Sequence, residues 1–598
     1  MEIRIPIAQV SNTSLTLALL RYTEPTLLDF AAVSAVIFVD AQHFSVSFRL
    51  TNVARMNASE SRFRATLSSI GNHKIQSSPY KNNLILSLTG LASSLLMKAE
   101  TIKHTNNHSQ PNRREFIATT AAASMGLVFA GCSTMSENPD PTAAFPTSRK
   151  RRYALVGVGG RSEMYRSAVL KTYAAHSEMV GFCDTNAGRL ALAQRLAREA
   201  VGVTVPVFAA KDFDQMVHET KPDVVIVTTK DSAHDHYIIR AMELGCDVIT
   251  EKPMATDEKK CRAILATQRK TGRSCRVTFN YRYPQHCTQV KDLLMSGVIG
   301  DVLSVDFHWM LNSVHGADYF RRWHSNKANS GGLMVHKATH HFDLMNWWLS
   351  AVPVIVAASG KRDFYTPQMA RRFGLSGPHE RCSTCPEQAK CTFFLDLAAN
   401  SNFRQLYLDN EKYDGYFRDR CVFRPEIDIE DTMNVIVKYD TGATMSYSLN
   451  AFNAWEGYRI AINGTKGRLE HSIQENVSVF GDGSVPGAVV PEGTIIRIFP
   501  LRAPAYNVPL WPAREGGHGG GDNVMLDDLF LPEKTADKYR RSADQRSGAY
   551  SILIGIAANR SMLTGQSVEI KDLVGDVGTP DYTKMPSSMD AVTMPPRA

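Results

Sequence analysis

Two histidines, His336 and His340, stand four residues apart in the segment 334–349, MVHKATHHFDLMNWWL. Apolar residues recur there at helical spacing, so the segment is predicted to be one helix. Four residues is about one turn, which puts both imidazoles on one face, while His341 points roughly 100° away from His340. Imidazole titrates near neutral pH, so such a pair facing a pocket can take the proton of a substrate hydroxyl. Lys252, in Glu251-Lys252-Pro253, supplies a positive charge. A neutral histidine beside it has its pKa pushed down, which favours the base form. The competing reading is that one of the pair only packs or hydrogen-bonds in the core. Histidines at this spacing also suit zinc, but no third ligand stands nearby in sequence. Lys337 lies between them, and an irregular start to the segment lets it reach substrate.

The element that must position this chemistry begins at an apolar run, 153–158, suited to a buried parallel strand. The turn Gly157-Val158-Gly159-Gly160-Arg161-Ser162 follows, then a helical stretch to about residue 174. Gly157 allows the tight turn, Gly159 lets backbone approach a pyrophosphate, and the helix N-terminus offers free N–H groups. Ser162 occupies the third glycine position. A second strand, 179–183, ends at Asp184, 27 residues after Gly157. A carboxylate there accepts ribose hydroxyls and repels a 2′-phosphate. Thr185 and Asn186 follow with no adjacent arginine, so NAD(H) is expected rather than NADP(H). A capping role near the next helix also suits Asp184. Strands 223–229 and 247–250 flank a helix over 233–244. This alternation predicts a doubly wound parallel sheet with ligands at the strand C-termini, where Asp184, Thr229 and Lys252 fall.

From residue 276 the pattern changes to longer alternating strands at 302–310, 352–359, 431–439, 444–450 and 458–463, with a last helix over 547–564. A largely antiparallel sheet is expected. Arg282 and Tyr283 (in NYRY), Trp323 (in YFRRWH) and Trp455 (in WEGY) are aromatic and forked donors that suit a polyhydroxylated ligand, though aromatic clusters more often form core.

The glycine turn, the acid after strand two and the Glu-Lys-Pro after a later strand resemble the Gfo/Idh/MocA oxidoreductase family over residues 153–566. That resemblance implies an N-terminal Rossmann domain (152–275) and an α+β domain (276–575) with a large, mainly antiparallel open sheet used for homo-oligomer contacts. It implies that Glu251, Lys252 and Pro253 border the cofactor, with Lys252 reaching nicotinamide and the substrate hydroxyl. The bond before Pro253 can be cis, and His234 matches a histidine common after strand three. His340 takes the family's histidine position and Asp343 its second acid. His336 departs from the family, standing where an aspartate is usual. The loop 516–522 (GGHGGGD) resembles a substrate-side loop, with His518 and Asp522 as contacts; a flexible loop is the alternative.

Of ten cysteines, Cys382, Cys385, Cys391 and Cys421 form C-x2-C-x5-C-x29-C in an insert, 376–425. That spacing suits a closed structural zinc site, with disulfides or free thiols as alternatives. Cys183, Cys246, Cys261, Cys275 and Cys287 are expected to be buried small hydrophobes.

Upstream, Arg113-Arg114 and Phe116 precede an Ala/Gly-rich apolar run ending at Gly131-Cys132. This resembles a twin-arginine export signal (97–132), read by the twin-arginine translocase, with a lipobox at Cys132 that departs from the usual pattern at Phe129. Such signals are N-terminal, so translation is expected to start at Met97; a disordered leader over 1–96 is the alternative. Residues 133–151 carry three prolines and read as a tether. Residues 576–598 form a tail. The 598 residues allow about three to four domains. A net charge of +8, scattered over this length, leaves no nucleic-acid footprint.

Together these readings predict an exported enzyme, periplasmic or anchored by lipid at Cys132, that oxidises a carbohydrate or related polyol with tightly bound, recycled NAD. Two alternatives remain: a redox-neutral NAD-dependent glycosidase working by oxidation, elimination and reduction, and a non-catalytic glycan-binding lipoprotein.

Overall fold

The structure, a computed structural model, describes residues 149–476, 493–515, 517, 519–533 and 536–586, and the backbone of two N-terminal strands. Those strands, β1 (Ser34–Asp40) and β2 (Ser45–Thr51), pair antiparallel within a unit of their own. The twin arginine, Cys132, most of the tether and His518 lie outside the described residues.

Six strands form the first sheet: β3 (Arg151–Val156), β4 (Ser177–Asp184), β5 (Val207–Ala209), β6 (Val224–Val227), β7 (Asp247–Thr250) and β8 (Cys275–Val277). Their order is β5-β4-β3-β6-β7-β8, and every pairing is parallel. The inner strand β6, VVIV, is buried at all four positions, because helices cover both faces of such a sheet. Helices α1 (Ser162–Ser167), α2 (Ala187–Val201) and α3 (His234–Glu243) follow β3, β4 and β6. Strand order reverses between β3 and β6, so a crevice opens at their C-terminal ends. The domain edge expected at residue 275 falls inside β8. That strand is completed from the far end of the chain, where Val277 N donates to Ala543 O at 3.0 Å.

The second sheet has nine strands: β9 (Val302–Asn312), β10 (Pro353–Lys361), β11 (Thr432–Tyr439), β12 (Thr444–Asn453), β13 (Glu456–Gly464), β14 (Gly467–Asn476), β15 (Ile495–Pro500), β16 (Tyr506–Asn507) and β17 (Val568–Glu569). The order is β16-β15-β14-β13-β9-β12-β11-β10-β17, antiparallel throughout except β9 beside β12. Along β11, Met433, Val435, Val437 and Tyr439 turn inward while Asn434, Ile436 and Lys438 face out, the alternation that made this sheet legible.

α4 (Ser313–Arg321) follows β9. The histidine segment is then two helices rather than one, α5 (Leu333–His336) and α6 (Thr339–Leu349), with Lys337 and Ala338 between them. Helix α6 is buried on every side, with Trp347 and Trp348 fully enclosed. A helix enclosed on every side has no solvent face to present, so its polar groups must be paired within the protein. The long α7 (Gln545–Thr564) pins this segment. Ser551 meets Thr339 hydroxyl to hydroxyl at 2.9 Å, and Asn559 Nδ2 donates to Gly331 O at 2.6 Å. Closest approach is at Gly555, where a Cβ would lie 2.3 Å from Met334 O.

Candidate active site

One cleft of about 730 Å³ runs from the Asp184 end of the parallel sheet to His340 on α6. At its first end, Gly157 adopts φ +87°, and a Cβ there would meet Thr228 and Thr229 backbone at 2.7–2.8 Å. Only glycine closes this turn against β6. A Cβ on Gly159 would meet nothing within 4 Å, so its backbone is open to a pyrophosphate. Ser162 fits the third glycine position because its hydroxyl folds back to Gly159 O at 2.6 Å.

Asp184 is nearly buried and accepts from Val158 N and Asn186 N, each at 2.8 Å. Its Oδ2 takes only the first of these, and a carboxylate oxygen has room for a second donor such as a ribose hydroxyl. The sequence reading missed Arg189. One turn into α2, its guanidinium reaches Asp184 Oδ1 at 3.4 Å and Asp414 at 2.5 Å.

At the middle of the cleft, Glu251 accepts from Arg161 Nε at 2.6 Å and from the Tyr165 hydroxyl at 2.7 Å. Burial alone would raise this carboxyl, but Arg161, Tyr165 and Lys252 outweigh it and hold it below the usual range. The Lys252–Pro253 bond is cis. His234 lies between Pro253 O (2.8 Å) and Thr229 O (3.1 Å), so its ring ties the end of β6 to the Lys-Pro turn.

Lys252 Nζ donates to His336 O at 3.2 Å. Burial lowers its ammonium to about 8, with Asp231 and Glu251 opposing and Lys337 and Arg161 assisting. His336 Nδ1 meets Asp231 Oδ2 at 2.5 Å. Burial, then the charges of Lys252, Arg322 and Lys337, keeps His336 well below its ordinary value, hence neutral near pH 7. Burial raises Asp231 against the pull of Lys252 and Arg322. A carboxyl group on Nδ1 fixes the ring and leaves Nε2 for a reacting proton, the arrangement of an oriented base. Asp231 was not singled out in the sequence, because one acid in the loop after a strand has no periodicity to mark it.

His340 also lines the cleft, its ring 4.9 Å from that of Tyr281. Both histidines therefore reach one cavity despite the break between α5 and α6. His341 points into the core, with Nδ1 2.7 Å from the Tyr447 hydroxyl and its ring stacked on Trp309.

Two family models match the chain, "Oxidoreductase family, NAD-binding Rossmann fold" over residues 151–279 and "Oxidoreductase family, C-terminal alpha/beta domain" over 291–570. The chain belongs to the Gfo/Idh/MocA oxidoreductase family. Among curated proteins it is 37% identical over 425 residues to YteT of Bacillus subtilis (strain 168), an oxidoreductase by name; the match covers 70% of this chain and 97% of YteT. It is 30% identical over 156 residues to D-glucoside 3-dehydrogenase of Escherichia coli, covering 26% of this chain and 42% of that one. It is 28% identical over 202 residues to Glycosyl hydrolase family 109 protein 1 of Akkermansia muciniphila, covering 32% and 41%.

Within this Gfo/Idh/MocA chain the remaining expected contacts divide. Lys337 and Trp323 line the cleft. Lys337 Nζ sits 4.7 Å from the Trp309 ring centroid and 3.4 Å from Glu456 Oε1, and Trp323 stacks on His324 at 3.6 Å. Asp522 is outside the cleft lining and reaches it through Asn280, whose Nδ2 donates to it at 2.8 Å. Arg282 and Asp343 are not substrate contacts. They pair with each other at 2.5 and 2.7 Å, fully enclosed in the core. Tyr283 is likewise turned inward, donating to Asp528 at 2.8 Å. Trp455 lies outside the cleft lining, 5.9 Å from the Arg459 guanidinium. Residues that the sequence named only within aromatic runs, Tyr319, Arg322 and His324, do line it.

Cys382, Cys385, Cys391 and Cys421, the expected zinc ligands, stand near one another at the base of the insert, where Cys382, Cys421 and Cys385 all act on the Cys391 thiol, and none is in a disulfide. Tetrahedral thiolates around zinc stand roughly 4 Å apart. Among the described residues, the ligand atoms that gather within 4.8 Å belong instead to His286, Cys287 and His471. Two of the three are satisfied by the chain itself: the Tyr458 hydroxyl lies 2.8 Å from His471 Nε2 and 3.6 Å from Cys287 Sγ, and Ile495 O faces His471 Nδ1 at 2.9 Å.

Proposed function

We propose that the protein is an exported oxidoreductase that oxidises a CH–OH group of a carbohydrate or related polyol, with NAD held through many turnovers. The observation that carries this reading is the meeting of Lys252 with the His336–Asp231 dyad in the same cleft as the Gly157–Gly159 turn and Asp184. The dehydrogenase name of the Escherichia coli relative supports the substrate class.

The residues present suit a dinucleotide. Gly157, Gly159 and the start of α1 would hold the pyrophosphate, and Asp184 a ribose. Bound there, NAD would accept a hydride from the substrate carbon. The chain's own part is the proton. His336 Nε2 takes it from the reacting hydroxyl while Asp231 holds the ring. The Lys252 ammonium stabilises the oxygen as negative charge develops on it. Lys337, Arg322 and Trp323 offer donors and an aromatic face to the remaining hydroxyls. His340 stands in the same cavity as a second base. It gives the redox-neutral glycosidase route a residue to remove a proton beside a transient ketone, and the relative named for glycosyl hydrolase family 109 favours keeping that route as the second reading.

Export rests on Arg113-Arg114 and Cys132. Outside the cytoplasm no free NAD replaces a lost molecule, so retention and recycling follow from it. Incubation of the purified protein with a glycoside panel tests the whole. Oxidised sugar with nicotinamide absorbance supports the dehydrogenase. Sugar release without added NAD supports the second route. Binding of a glycan with no dinucleotide, as isolated or after NAD addition, would leave only a glycan-binding protein.

A further inference from the structure

The insert does more than decorate the second domain. Its ends are joined where Cys382 N donates to Asp419 O at 2.8 Å and Cys421 N to Glu380 O at 3.0 Å. Arg381 braces that neck, bonding Asp419 at 2.9 Å and Glu411 at 2.6 and 3.0 Å. From there the segment crosses to the nucleotide domain. Asn186 Nδ2 donates to Asn410 O at 3.0 Å, Arg195 to Gln405 at 2.9 Å, and Arg189 to Asp414 at 2.5 Å. A Cβ on Gly188 would overlap Asn410 Oδ1 at 1.9 Å, so the surface of α2 fits the insert only with glycine there.

On the substrate side, Arg418 donates to Asp318 of α4 at 2.7 Å, and the Tyr416 hydroxyl lies 3.5 Å from Arg322 Nε. The span between these two anchorages lies over the cleft: Tyr407, Asp414, Gly415 and Tyr416 line it opposite Gly160 and Asp184. The Tyr407 hydroxyl is 3.1 Å from where a Gly160 Cβ would stand, directly beside the glycine turn.

Charge at this end is specific. Asp184 and Asp414 share one guanidinium, Arg189, which leaves one carboxylate in excess. Burial would raise the Asp414 carboxyl, but Asn186 and Arg189 outweigh it and hold it below its ordinary value, so it is charged at neutral pH. A 2′-phosphate placed between two carboxylates is repelled; a 2′-hydroxyl is not.

Resting on the dinucleotide reading above, we propose that the insert forms the outer wall of the cofactor site, Tyr407 slowing cofactor release and Asp414 acting as a second selector of NAD(H) over NADP(H). Retention is then built by an element of the substrate domain, and selectivity does not rest on Asp184 alone. Arg189, released from Asp414, becomes a ready partner for a 2′-phosphate.

Two variants of the full chain test this, Asp414→Asn and Tyr407→Ala, with folding checked by circular dichroism. NADH and NADPH affinities are titrated by nicotinamide fluorescence, and NADH release is timed against excess unlabelled NAD. Asp414→Asn, which keeps the side-chain volume, is expected to narrow the NADH-over-NADPH preference at least tenfold. Tyr407→Ala is expected to speed NADH release at least tenfold. Unchanged preference and unchanged release in folded variants, with tight NADH binding by the parent, overturn this assignment alone. Binding of neither dinucleotide by the parent overturns the proposed function with it.

Discussion

Asp231 and His336 come together at 2.5 Å from opposite domains, one from the loop after β6 and the other from the end of α5. The family position filled by His336 usually holds an acid. Here the acid is still present beside it, supplied from the Rossmann side. An imidazole thus lines the cleft with a carboxyl group behind it.

Replacement of His336 by Ala is expected to lower kcat by about 10²–10⁴-fold, the usual worth of a general base. Asp231→Asn should cost less but at least tenfold, and the double variant should fall little below His336→Ala, since the two act as a unit. Steady-state kinetics on the four proteins checks this. Independent, multiplying losses would separate Asp231 from the proton transfer.

Three groups set the pH profile. His336 itself stays uncharged well below its ordinary 6.5. Asp231 is raised by burial, and once protonated it donates to Nδ1 and leaves Nε2 carrying the ring proton, so the base form is lost on the acid side. Lys252 loses its proton at about 8, and with it the charge proposed to stabilise the developing oxyanion. The rate kcat/KM is therefore expected to fall above about pH 8 and to fall in acid as Asp231 takes up its proton. Lys252→Arg should lower the plateau and remove the alkaline fall, because guanidinium keeps its proton. A profile rising through pH 8 would make Lys252 the base instead.

Arg282 and Asp343 predict a stability effect, not a kinetic one. Breaking a buried pair leaves an uncompensated charge and costs about 3–5 kcal/mol. Asp343→Ala should lower the urea midpoint accordingly, while the fraction that remains folded keeps its KM. An intact midpoint with a raised KM would return both residues to the substrate site.

Gly555→Val pushes a side chain into the Met334 carbonyl. Overpacking of this kind costs about 1–3 kcal/mol, and the strain falls on α5. Both a lower Tm and a reduced kcat are expected, whereas the same change at exposed Gly565, the left-handed cap of α7 at φ +70°, should lower Tm through backbone strain but leave the kcat of the folded protein unchanged. Thermal unfolding beside turnover distinguishes them.

Much of the site was legible because its signals are local. Gly157, Asp184 and Lys252 each end a strand whose apolar run is visible, and strand ends are where an open α/β sheet binds ligands. His336 and His340 line one cleft as their spacing suggested, although the single helix expected there is broken at Lys337 and Ala338. The errors have a common cause. Arg282 and Asp343 lie 61 residues apart and looked like exposed polar groups until the fold joined them. Asp414 lies 225 residues from Arg189, and nothing in either segment announces the other. Sequence pattern located the elements; long-range pairing decided which polar groups face the cleft.

The central claim is that this cleft moves a hydride while His336 takes the proton. Its most direct test is a single turnover: excess enzyme loaded with NAD is mixed with each member of a sugar and polyol panel, and nicotinamide absorbance is followed. The account predicts a rise with at least one sugar, slowed at least a hundredfold in His336→Ala with NAD affinity unchanged. Saturable NAD binding with no absorbance change for any sugar, or an equal rate in His336→Ala, would contradict it.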